Sequence, residues 1–244
     1  MKIRDRVALV TGSARRVGRA IAAALASRGC HLVLHYRTAA EDARTLAAEA
    51  GRLGVKAIPV QADLAEPQAA GALVRAAEEA FGRLDILVNN AAVFPRTPLG
   101  EVTAGAWDAV FAVNLRAPFL LAQAAAPLMA RGGGGRIVNL ADVSAERPWP
   151  DYIPYCASKA GIVAITRGLA KALAPDILVN AIAPGTVLWP EGYPAAAKER
   201  ELRRTPLKRT GTPEDVARVV LFLLQEADFV TGQVLNLDGG RSLT

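Results

Sequence analysis

A tyrosine and a lysine four residues apart, Tyr155 and Lys159, are the pair in this chain with the clearest capacity for chemistry. In a helix this spacing places both side chains on one face. An ammonium group beside a phenol stabilises the phenolate, so we expect the pKa of Tyr155 to fall below its usual value near 10. Such a phenol can exchange a proton with a reacting carbonyl or imine. A Tyr and a Lys at this spacing more often form an ordinary solvated helix face, so the rest of the sequence must decide.

The composition limits the size and class of the protein. The chain has 244 residues, of which 52% are hydrophobic and 5% aromatic. This predicts one large core and a single domain over residues 1–244. The formal net charge of +6 would suit a nucleic acid, but the arginines are scattered and no nucleic-acid-binding motif occurs. A basic surface that attracts small anions such as phosphate is the better interpretation.

Metal, disulfide and membrane sites are not predicted. The two cysteines, Cys30 and Cys156, fit reduced packing residues. The two histidines, His31 and His35, lack the spacing of a zinc site. The first apolar run is too short for a signal peptide, and the apolar stretch 117–130 is too short and too interrupted by proline to span a bilayer. We therefore expect a cytoplasmic protein that binds no metal, membrane or nucleic acid.

Short apolar runs of strand length alternate with alanine-rich amphipathic segments along the chain. The first run is followed by a helical pattern over 17–29 that closes on a glycine. This alternation predicts an α/β fold, a doubly wound parallel sheet (Rossmann fold) of seven strands with helices on both faces. The predicted strands are 7–10, 31–36, 55–61, 84–90, 136–142, 176–182 and 233–238.

The least regular stretch follows the sixth predicted strand. Residues 184–206 are rich in proline and glycine. In a doubly wound sheet the loops at the carboxyl ends of the strands carry the ligand. We therefore predict a mobile substrate lid over 184–212, with an ordinary surface loop as the alternative.

The turn TGSARRVG (11–18) lies between the first predicted strand and the first helix. There a pyrophosphate can meet backbone N–H groups and a helix N-terminus. Gly12 would allow the tight turn, and Gly18 would allow close approach of helix and cofactor. A glycine-rich turn alone is weak evidence, but this one has the required strand–turn–helix context.

At this point the chain resembles the short-chain dehydrogenase/reductase family over essentially its whole length. The family's glycine-rich turn matches 11–18, its Asn-Asn-Ala-Gly motif matches NNAA (89–92), its Tyr-x-x-x-Lys motif matches YCASK (155–159), and its Pro-Gly pair matches Pro184-Gly185. The resemblance implies an oxidoreductase that uses a nicotinamide cofactor.

The resemblance also implies roles for residues outside these motifs. Asn114 matches the family's catalytic asparagine, which anchors a water chain that resupplies protons. Asp63 matches the acidic residue near the adenine. Further residues implied at the cofactor are Val17, Tyr36, Leu64, Asn90, Ala91, Tyr155, Lys159 and Thr186.

The end of the second predicted strand favours NADPH over NADH. An NAD enzyme normally has an acidic residue there, which accepts from the ribose 2′-OH and repels a 2′-phosphate. Here Arg37 and Thr38 occupy the turn, and no acidic residue occurs before Glu41. Arg15 adds a second cation whose planar fork suits phosphate. Two solvated surface arginines are the alternative.

Two departures from the family pattern resemble its pteridine reductase branch. Arg16 replaces the middle glycine of the turn, and Asp142 stands where the family has a serine, thirteen residues before Tyr155. Pteridine reductases share both features. By this resemblance Asp142, Tyr155 and Lys159 form the triad, and Arg16 reaches cofactor phosphate and substrate.

Other positions bear on the same resemblance. In that branch a phenylalanine after the Asn-Asn motif stacks on the pterin ring, and Phe94 matches it. Ala92 departs from the branch, which commonly has a serine there. Ionised Asp142 would keep the phenol protonated and accept N–H bonds from a pterin edge, and protonated Asp142 could donate to a ketone. Ser144 would serve instead only if the loop shifts register, and Asp142 as a mere turn residue is a further alternative.

The predicted function is NADPH-dependent reduction of a pterin-type substrate, a dihydropterin or dihydrofolate. Tyr155 would donate the proton, and Lys159 would hold the nicotinamide ribose. Two alternatives remain: an NADPH-dependent ketone reductase, for example of 3-oxoacyl thioesters, and an NADPH-binding regulator or scaffold without turnover. Related enzymes are commonly dimers or tetramers, so we expect a homo-oligomer, with a homotetramer as the specific prediction.

Overall fold

The computed structural model describes residues 1–189 and 192–244. Within them, seven strands form one sheet in the order β3-β2-β1-β4-β5-β6-β7, and every neighbouring pair is parallel. The predicted doubly wound parallel sheet and single domain are therefore confirmed. The strands are β1 (Val7–Val10), β2 (His31–Tyr36), β3 (Ala57–Gln61), β4 (Ile86–Asn89), β5 (Gly135–Leu140), β6 (Ile177–Pro184) and β7 (Val234–Leu237).

Helices cover both faces of the sheet, so alternate residues of a strand belong to different cores. In β1, Ala8 and Val10 pack in the core that contains residues of α1 and α8, whereas Val7 and Leu9 pack in the core that contains residues of α3 and α5. The α-helices among the described residues are α1 (Arg16–Ala26), α2 (Ala40–Arg52), α3 (Ala69–Phe81), α4 (Ala104–Phe111), α5 (Ala117–Arg131), α6 (Ile153–Leu173), α7 (Ala195–Arg204) and α8 (Pro213–Gln225).

The strand order reverses between β1 and β4. From β1 the chain first builds outwards through β2 and β3, and then returns to place β4 on the other side of β1. The loops after β1 and β4 therefore diverge at the carboxyl edge and leave a crevice between them. Ligands of open α/β sheets bind at such a switch point.

Several predicted element boundaries are wrong: β3 begins at Ala57 and β4 at Ile86, each two residues later than predicted, and β5 ends at Leu140, two residues earlier. Helix α1 ends at Ala26, and Gly29 stands three residues later in the connecting turn with a φ of +80°. The glycine therefore shapes the turn and does not cap the helix directly. Strand β6 continues to Pro184, two residues beyond the predicted end, because its last residues still pair with β7.

The apolar stretch 117–130 belongs to a longer helical run than predicted. Helix α4, a π-helical segment (Ala112–Arg116) and α5 follow one another without a break over Ala104–Arg131. This run is long and apolar enough to cross a membrane by length and composition, and 50% of its most apolar window is buried in the fold. Core helices of water-soluble proteins share both properties, so the match is weak evidence for a membrane span.

The predicted lid contains a helix. Helix α7 (Ala195–Arg204) and the segments on either side of it occupy most of the range 184–212. Residues 190 and 191 of the predicted lid lie outside the described residues. Movement of this segment on substrate binding stays a prediction.

Candidate active site

A cleft of about 680 Å³ lies at the switch point. Its walls come from the loops after β1, β4, β5 and β6 and from the N-terminal half of α6. The structure thus brings together residues that are far apart in the sequence. The predicted site residues that line the cleft are Gly12, Arg15, Arg16, Val17, Gly18, Asn90, Ala91, Phe94, Asp142, Tyr155, Lys159, Pro184, Gly185 and Thr186.

The turn after β1 disfavours a side chain at each of its two glycines. Gly12 has a φ of +63°, and a Cβ added to Gly18 would lie 2.1 Å from the carbonyl oxygen of Gly12. Asn90 fixes the turn from β4, because its side-chain amide donates to the carbonyl oxygen of Thr11 at 2.8 Å. A shallow cradle of backbone at the start of α1 results, which suits the pyrophosphate of a dinucleotide.

Arg16 occupies the left-handed region, with a φ of +54°, at the position where the family has a glycine. Its side chain is exposed at the mouth of the cleft. A left-handed conformation costs a residue with a Cβ roughly 1–2 kcal/mol. Strain of this kind clusters at functional sites. The guanidinium group is therefore a candidate for binding cofactor or substrate.

We expect Arg16→Gly to weaken ligand binding without destabilising the fold. The substitution relieves the left-handed strain, while the glycine adds roughly 0.5–1 kcal/mol of unfolded-chain entropy, so the net change in unfolding free energy should lie between about 0 and +1.5 kcal/mol. Lys208→Gly is the matched control, because Lys208 also has a positive φ, of 55°, and does not line the cleft. Urea denaturation and NADPH titration measure both effects. Unchanged affinity in Arg16→Gly would contradict a binding role.

The predicted adenine-side residues lie beyond this cleft, along the carboxyl edge of β2 and β3. Tyr36 ends β2 opposite Gln61, and Arg37 and Thr38 follow it on the surface. The carboxylate of Asp63 accepts the N–H of Ala65 at 2.9 Å and so shapes the turn after β3. Leu64 is buried beside it.

Arg15 is already paired in this structure. Its guanidinium group lies 2.6 Å from the carboxylate of Asp42, in the first turn of α2. Sequence reasoning missed Asp42, because only the fold brings the start of α2 next to the turn after β1. A 2′-phosphate near Arg15 would therefore compete with this carboxylate.

Asp142 and Tyr155 form a hydrogen-bonded pair at the centre of the cleft. Tyr155 Oη donates to Asp142 Oδ2 at 2.8 Å. The other oxygen, Oδ1, accepts the N–H of Ser144 at 2.8 Å, at the start of a short 3₁₀ segment. Asp142 is therefore a turn residue that also accepts from the phenol, and its role in binding a substrate stays a prediction.

The expectation that the pKa of Tyr155 falls is wrong. Burial and the neighbouring Asp142 carboxylate raise the pKa of Tyr155 well above its usual value. Lys159 does not counter this, because its ammonium donates to the carbonyl oxygen of Leu140 at 2.7 Å and lies 5.7 Å from the centre of the phenol ring. Tyr155 is thus protonated at neutral pH and can act as a proton donor.

Burial shifts the other two members of the triad as well. Lys159 is only 4% exposed, and burial lowers its pKa to about 8, while the attraction of Asp142 opposes this shift. Burial also raises the pKa of Asp142, although the hydrogen bond from the N–H of Ser144 limits the rise. Three groups with perturbed pKa values in one cleft indicate a functional site.

Ser144 does not replace Asp142. Its side chain is 0% exposed and does not line the cleft. The register shift that would bring Ser144 to the substrate is absent from the described loop. Asp142 is the residue that stands at the family's serine position.

Asn114 lies behind the cleft. It is 1% exposed and belongs to the π-helical segment between α4 and α5. Its amide accepts the N–H of Val93 at 2.8 Å and donates to the carbonyl oxygen of Val93 at 2.9 Å, and it also donates to Ser158 Oγ at 3.2 Å. In this structure its side chain holds the segment that leads to Phe94. Its predicted role in a water chain stays a prediction.

Phe94 stands at the mouth of the cleft and is 42% exposed. Its ring stacks on Tyr152, with ring centroids 4.4 Å apart and planes 3° from parallel. It packs edge to face with Tyr155, with ring centroids 4.5 Å apart. The planes of Trp149 and Tyr155 are also nearly parallel, at 4°, with centroids 6.4 Å apart. Flat aromatic surfaces therefore line the space next to the phenol.

Sequence reasoning missed most of this aromatic lining. Trp149 and Tyr152 precede α6, in the run RPWPDYIPY. Within the predicted lid, Trp189 stacks on Tyr193, with ring centroids 5.2 Å apart. Two of the three tryptophans and three of the four tyrosines of an aromatic-poor chain line one cleft. The density of aromatic residues just before the Tyr-x-x-x-Lys motif was a usable indication.

An ion pair and a backbone contact join the two loops that carry these rings. Arg96 bonds the carboxylate of Asp151 at 2.8 Å, and the N–H of Thr97 donates to the carbonyl oxygen of Asp151 at 2.6 Å. Thr97 and Tyr152 also form an isolated parallel β-bridge. The Phe94 loop is therefore fastened to the Trp149–Tyr152 loop.

A protein-family model described as enoyl-(acyl carrier protein) reductase matches residues 12–242. This chain belongs to the short-chain dehydrogenase/reductase family. The family consists of oxidoreductases that use NAD(P)(H), and the glycine turn, the backbone cradle and the buried Lys159 of this member fit such a cofactor.

Several known members are similar over nearly the whole chain. The 3-oxoacyl-[acyl-carrier-protein] reductase of Synechocystis sp. is 38% identical over 237 residues, which cover 96% of each protein. The enzyme of that name from Thermotoga maritima is 37% identical and covers 98% of this chain and 99% of its own length. A crystal structure from Sinorhizobium meliloti 1021, described provisionally as a short-chain alcohol dehydrogenase, is 36% identical, with a TM-score of 0.94 over 100% of this chain and 98% of the other.

Proposed function

We propose that this short-chain reductase uses NADPH to reduce a planar heterocycle that carries N–H groups, of the pterin type, such as a dihydropterin or dihydrofolate. The observation that carries the proposal is the pairing of Asp142 with Tyr155 at 2.8 Å inside an aromatic cleft. The family's usual serine offers a hydroxyl at this position. An aspartate offers a carboxylate, which accepts N–H bonds that a simple ketone cannot donate.

The aromatic lining supports a flat substrate. Phe94 and Trp149 present ring surfaces beside Tyr155, where a fused heterocycle can stack. The side chain of Asp142 lines the same cleft and can bind the aminopyrimidine edge of such a ring. Together they would fix both the plane and the rotation of the substrate.

The residues of this chain handle the proton and the charge. NADPH, when bound, supplies the hydride to a C=N or C=O bond. Protonated Tyr155 gives a proton to the neighbouring atom, directly or through one water, so that one hydride and one proton complete the reduction. Lys159 would hold the nicotinamide ribose once the cofactor is bound. Closure of the predicted lid, which contains α7, would exclude water during this step.

A second candidate is reduction of a ketone such as a 3-oxoacyl thioester. The similar proteins from Synechocystis and Thermotoga carry that activity in their names, and they support this candidate more directly than they support pterin reduction. Asp142 is compatible with it when protonated, because burial raises the pKa of this carboxyl and a protonated carboxyl can donate to a carbonyl. The intact Tyr155–Lys159 pair argues against a scaffold without turnover.

Steady-state NADPH oxidation with three substrates separates these candidates. The panel contains a dihydropterin, dihydrofolate and a 3-oxoacyl thioester, each at several concentrations. We expect kcat/KM to be highest for one of the first two. A higher value for the thioester would replace the pterin proposal by the ketone reductase.

We expect NADPH to bind about ten- to hundredfold more tightly than NADH, the effect of one charge-assisted contact from arginine to the 2′-phosphate. Arg37 and Arg15 are the candidate cations. Asp42→Asn should tighten NADPH binding further and leave NADH binding unchanged, because it frees Arg15 and removes a carboxylate that repels the phosphate. Fluorescence titration with both cofactors measures this. Equal or tighter binding of NADH would contradict the preference.

The assembly and location are proposed from the family resemblance. We expect a homotetramer in the cytoplasm, which sedimentation velocity and cell fractionation would test.

A further inference from the structure

His35 is a buried histidine with no part in the chemistry proposed above. It lies near the carboxyl end of β2 and is 3% exposed. Its Nδ1 is 3.0 Å from the backbone nitrogen of Gly12, and its Nε2 is 3.2 Å from the carbonyl oxygen of Ala62. The ring therefore bridges the cofactor turn after β1 and the segment after β3.

These two contacts determine the tautomer. The backbone N–H of Gly12 can only donate, so Nδ1 must carry a lone pair. The carbonyl oxygen of Ala62 can only accept, so Nε2 must carry the hydrogen. His35 is therefore neutral, with its proton on Nε2. Burial, the largest effect on this group, lowers its pKa and favours the neutral ring, while the Ala62 carbonyl and the Asp63 carboxylate oppose that shift.

The main chain of His35 supports the same turn. Its carbonyl oxygen accepts the N–H of Ser13 at 3.0 Å and the hydroxyl of Ser13 at 3.2 Å. Gly12 and Ser13 are thus both anchored to one residue of β2. The carbonyl oxygen of Gly12 is also the atom that leaves no room for a Cβ on Gly18. The position of Gly12 therefore determines where α1 begins relative to the cradle.

We propose that His35 is a positioning residue for the cofactor. Its unprotonated Nδ1 accepts the N–H of Gly12 and so holds the turn in the conformation that receives the dinucleotide. The role is independent of the substrate, so it stands for a pterin reductase and for a ketone reductase alike. Without the acceptor, the N–H of Gly12 is left unpaired in a half-buried position, and the turn gains other conformations. Cofactor binding must then restore the competent conformation at a cost in affinity.

His31 provides a matched control on the same strand. Its Nδ1 also accepts a backbone N–H, from Lys56 at 3.0 Å. It lies at the amino end of β2, where it stacks on Phe81, and so it is remote from the cofactor turn at the carboxyl edge. Loss of its acceptor removes a hydrogen bond of the same type, at a more exposed position, without touching the turn.

Two substitutions at His35 separate the functions of its nitrogens. In His35→Asn the amide oxygen lies close to the former Nδ1 and can still accept from Gly12. In His35→Gln the amide reaches the former Nε2 position, towards Ala62, and the acceptor at Gly12 is lost. We expect His35→Gln to raise the NADPH Kd about five- to thirtyfold, and His35→Asn and His31→Gln to stay within about threefold of the wild type.

Kinetics and spectroscopy complete the test. In His35→Gln the KM for NADPH should rise while kcat at saturating NADPH stays within about twofold of the wild type, because the formed complex is unchanged. The chain has only two histidines, so ¹⁵N spectra of the imidazoles, assigned with His31→Gln, report the tautomer of His35 in the wild-type protein even if a variant fails to fold. Equal NADPH affinity in the Gln and Asn variants, or a hydrogen on Nδ1 of His35, would overturn the proposal.

Discussion

Replacing Tyr155 with phenylalanine is expected to reduce turnover by about 10²–10⁴-fold, the usual contribution of a positioned proton donor. The Kd for NADPH should change little, since the hydroxyl points at Asp142. The phenylalanine ring preserves the contacts of the tyrosine with Phe94 and Trp149, so the cleft keeps its shape. Single-turnover and steady-state rates with the best substrate of the panel, alongside a fluorescence titration of NADPH, measure the two effects separately.

Lys159→Ala is the control for this prediction. Its ammonium is buried against the carbonyl oxygen of Leu140 and is proposed to hold the nicotinamide ribose. Its loss should therefore weaken NADPH binding as well as turnover, whereas Tyr155→Phe should affect turnover alone. Substantial turnover by a correctly folded Tyr155→Phe enzyme would mean that the proton comes from another group.

The fold was predictable because its evidence is local and repeated. Most strands are short apolar runs such as VALV at Val7–Val10, and a helix with buried residues follows each of β1 to β5. Helix ends were less predictable. Helix α1 was predicted to close on Gly29, but it ends at Ala26, and Gly29 lies in the turn that follows. The continuous run Ala104–Arg131 was missed because Pro118 and Pro127, which read as interruptions, are accommodated within it.

The candidate-site residues that belong to sequence motifs were predictable. The contacts that depend on the tertiary structure were less so. The spacing of Tyr155 and Lys159 did not predict which way their side chains point. The ammonium of Lys159 donates to the carbonyl oxygen of Leu140, and the phenol of Tyr155 donates to Asp142. The expected fall in the pKa of Tyr155 was wrong for that reason. Trp149 and Trp189 lie in irregular loops, for which periodicity gives no contact partners. The pairing of Asp42 with Arg15 likewise exists only once α2 is placed beside the turn.

The substitution Asp142→Ser separates pterin reduction from ketone reduction. A serine at this position can still accept the N–H of Ser144, as serine does at the start of helices, so the loop should survive. The variant loses the carboxylate that would bind an aminopyrimidine edge. We expect kcat/KM for a dihydropterin to fall by about ten- to hundredfold, the value of a charge-assisted hydrogen bond. Reduction of a simple ketone should be kept or improved, because a hydroxyl donor returns to the family's serine position.

Ser144→Ala is the matched control for this loss. The Ser144 side chain is 0% exposed and does not line the cleft, so its removal should leave both reactions nearly unchanged. The reverse pattern, a damaging Ser144→Ala and a silent Asp142→Ser, would mean that the loop changes register when substrate binds. It would also remove the reason to prefer a heterocycle over a ketone, because the paired carboxylate is the feature of this cleft that a ketone does not require. The two variants, measured on one dihydropterin and one ketone, therefore decide between the two proposed functions.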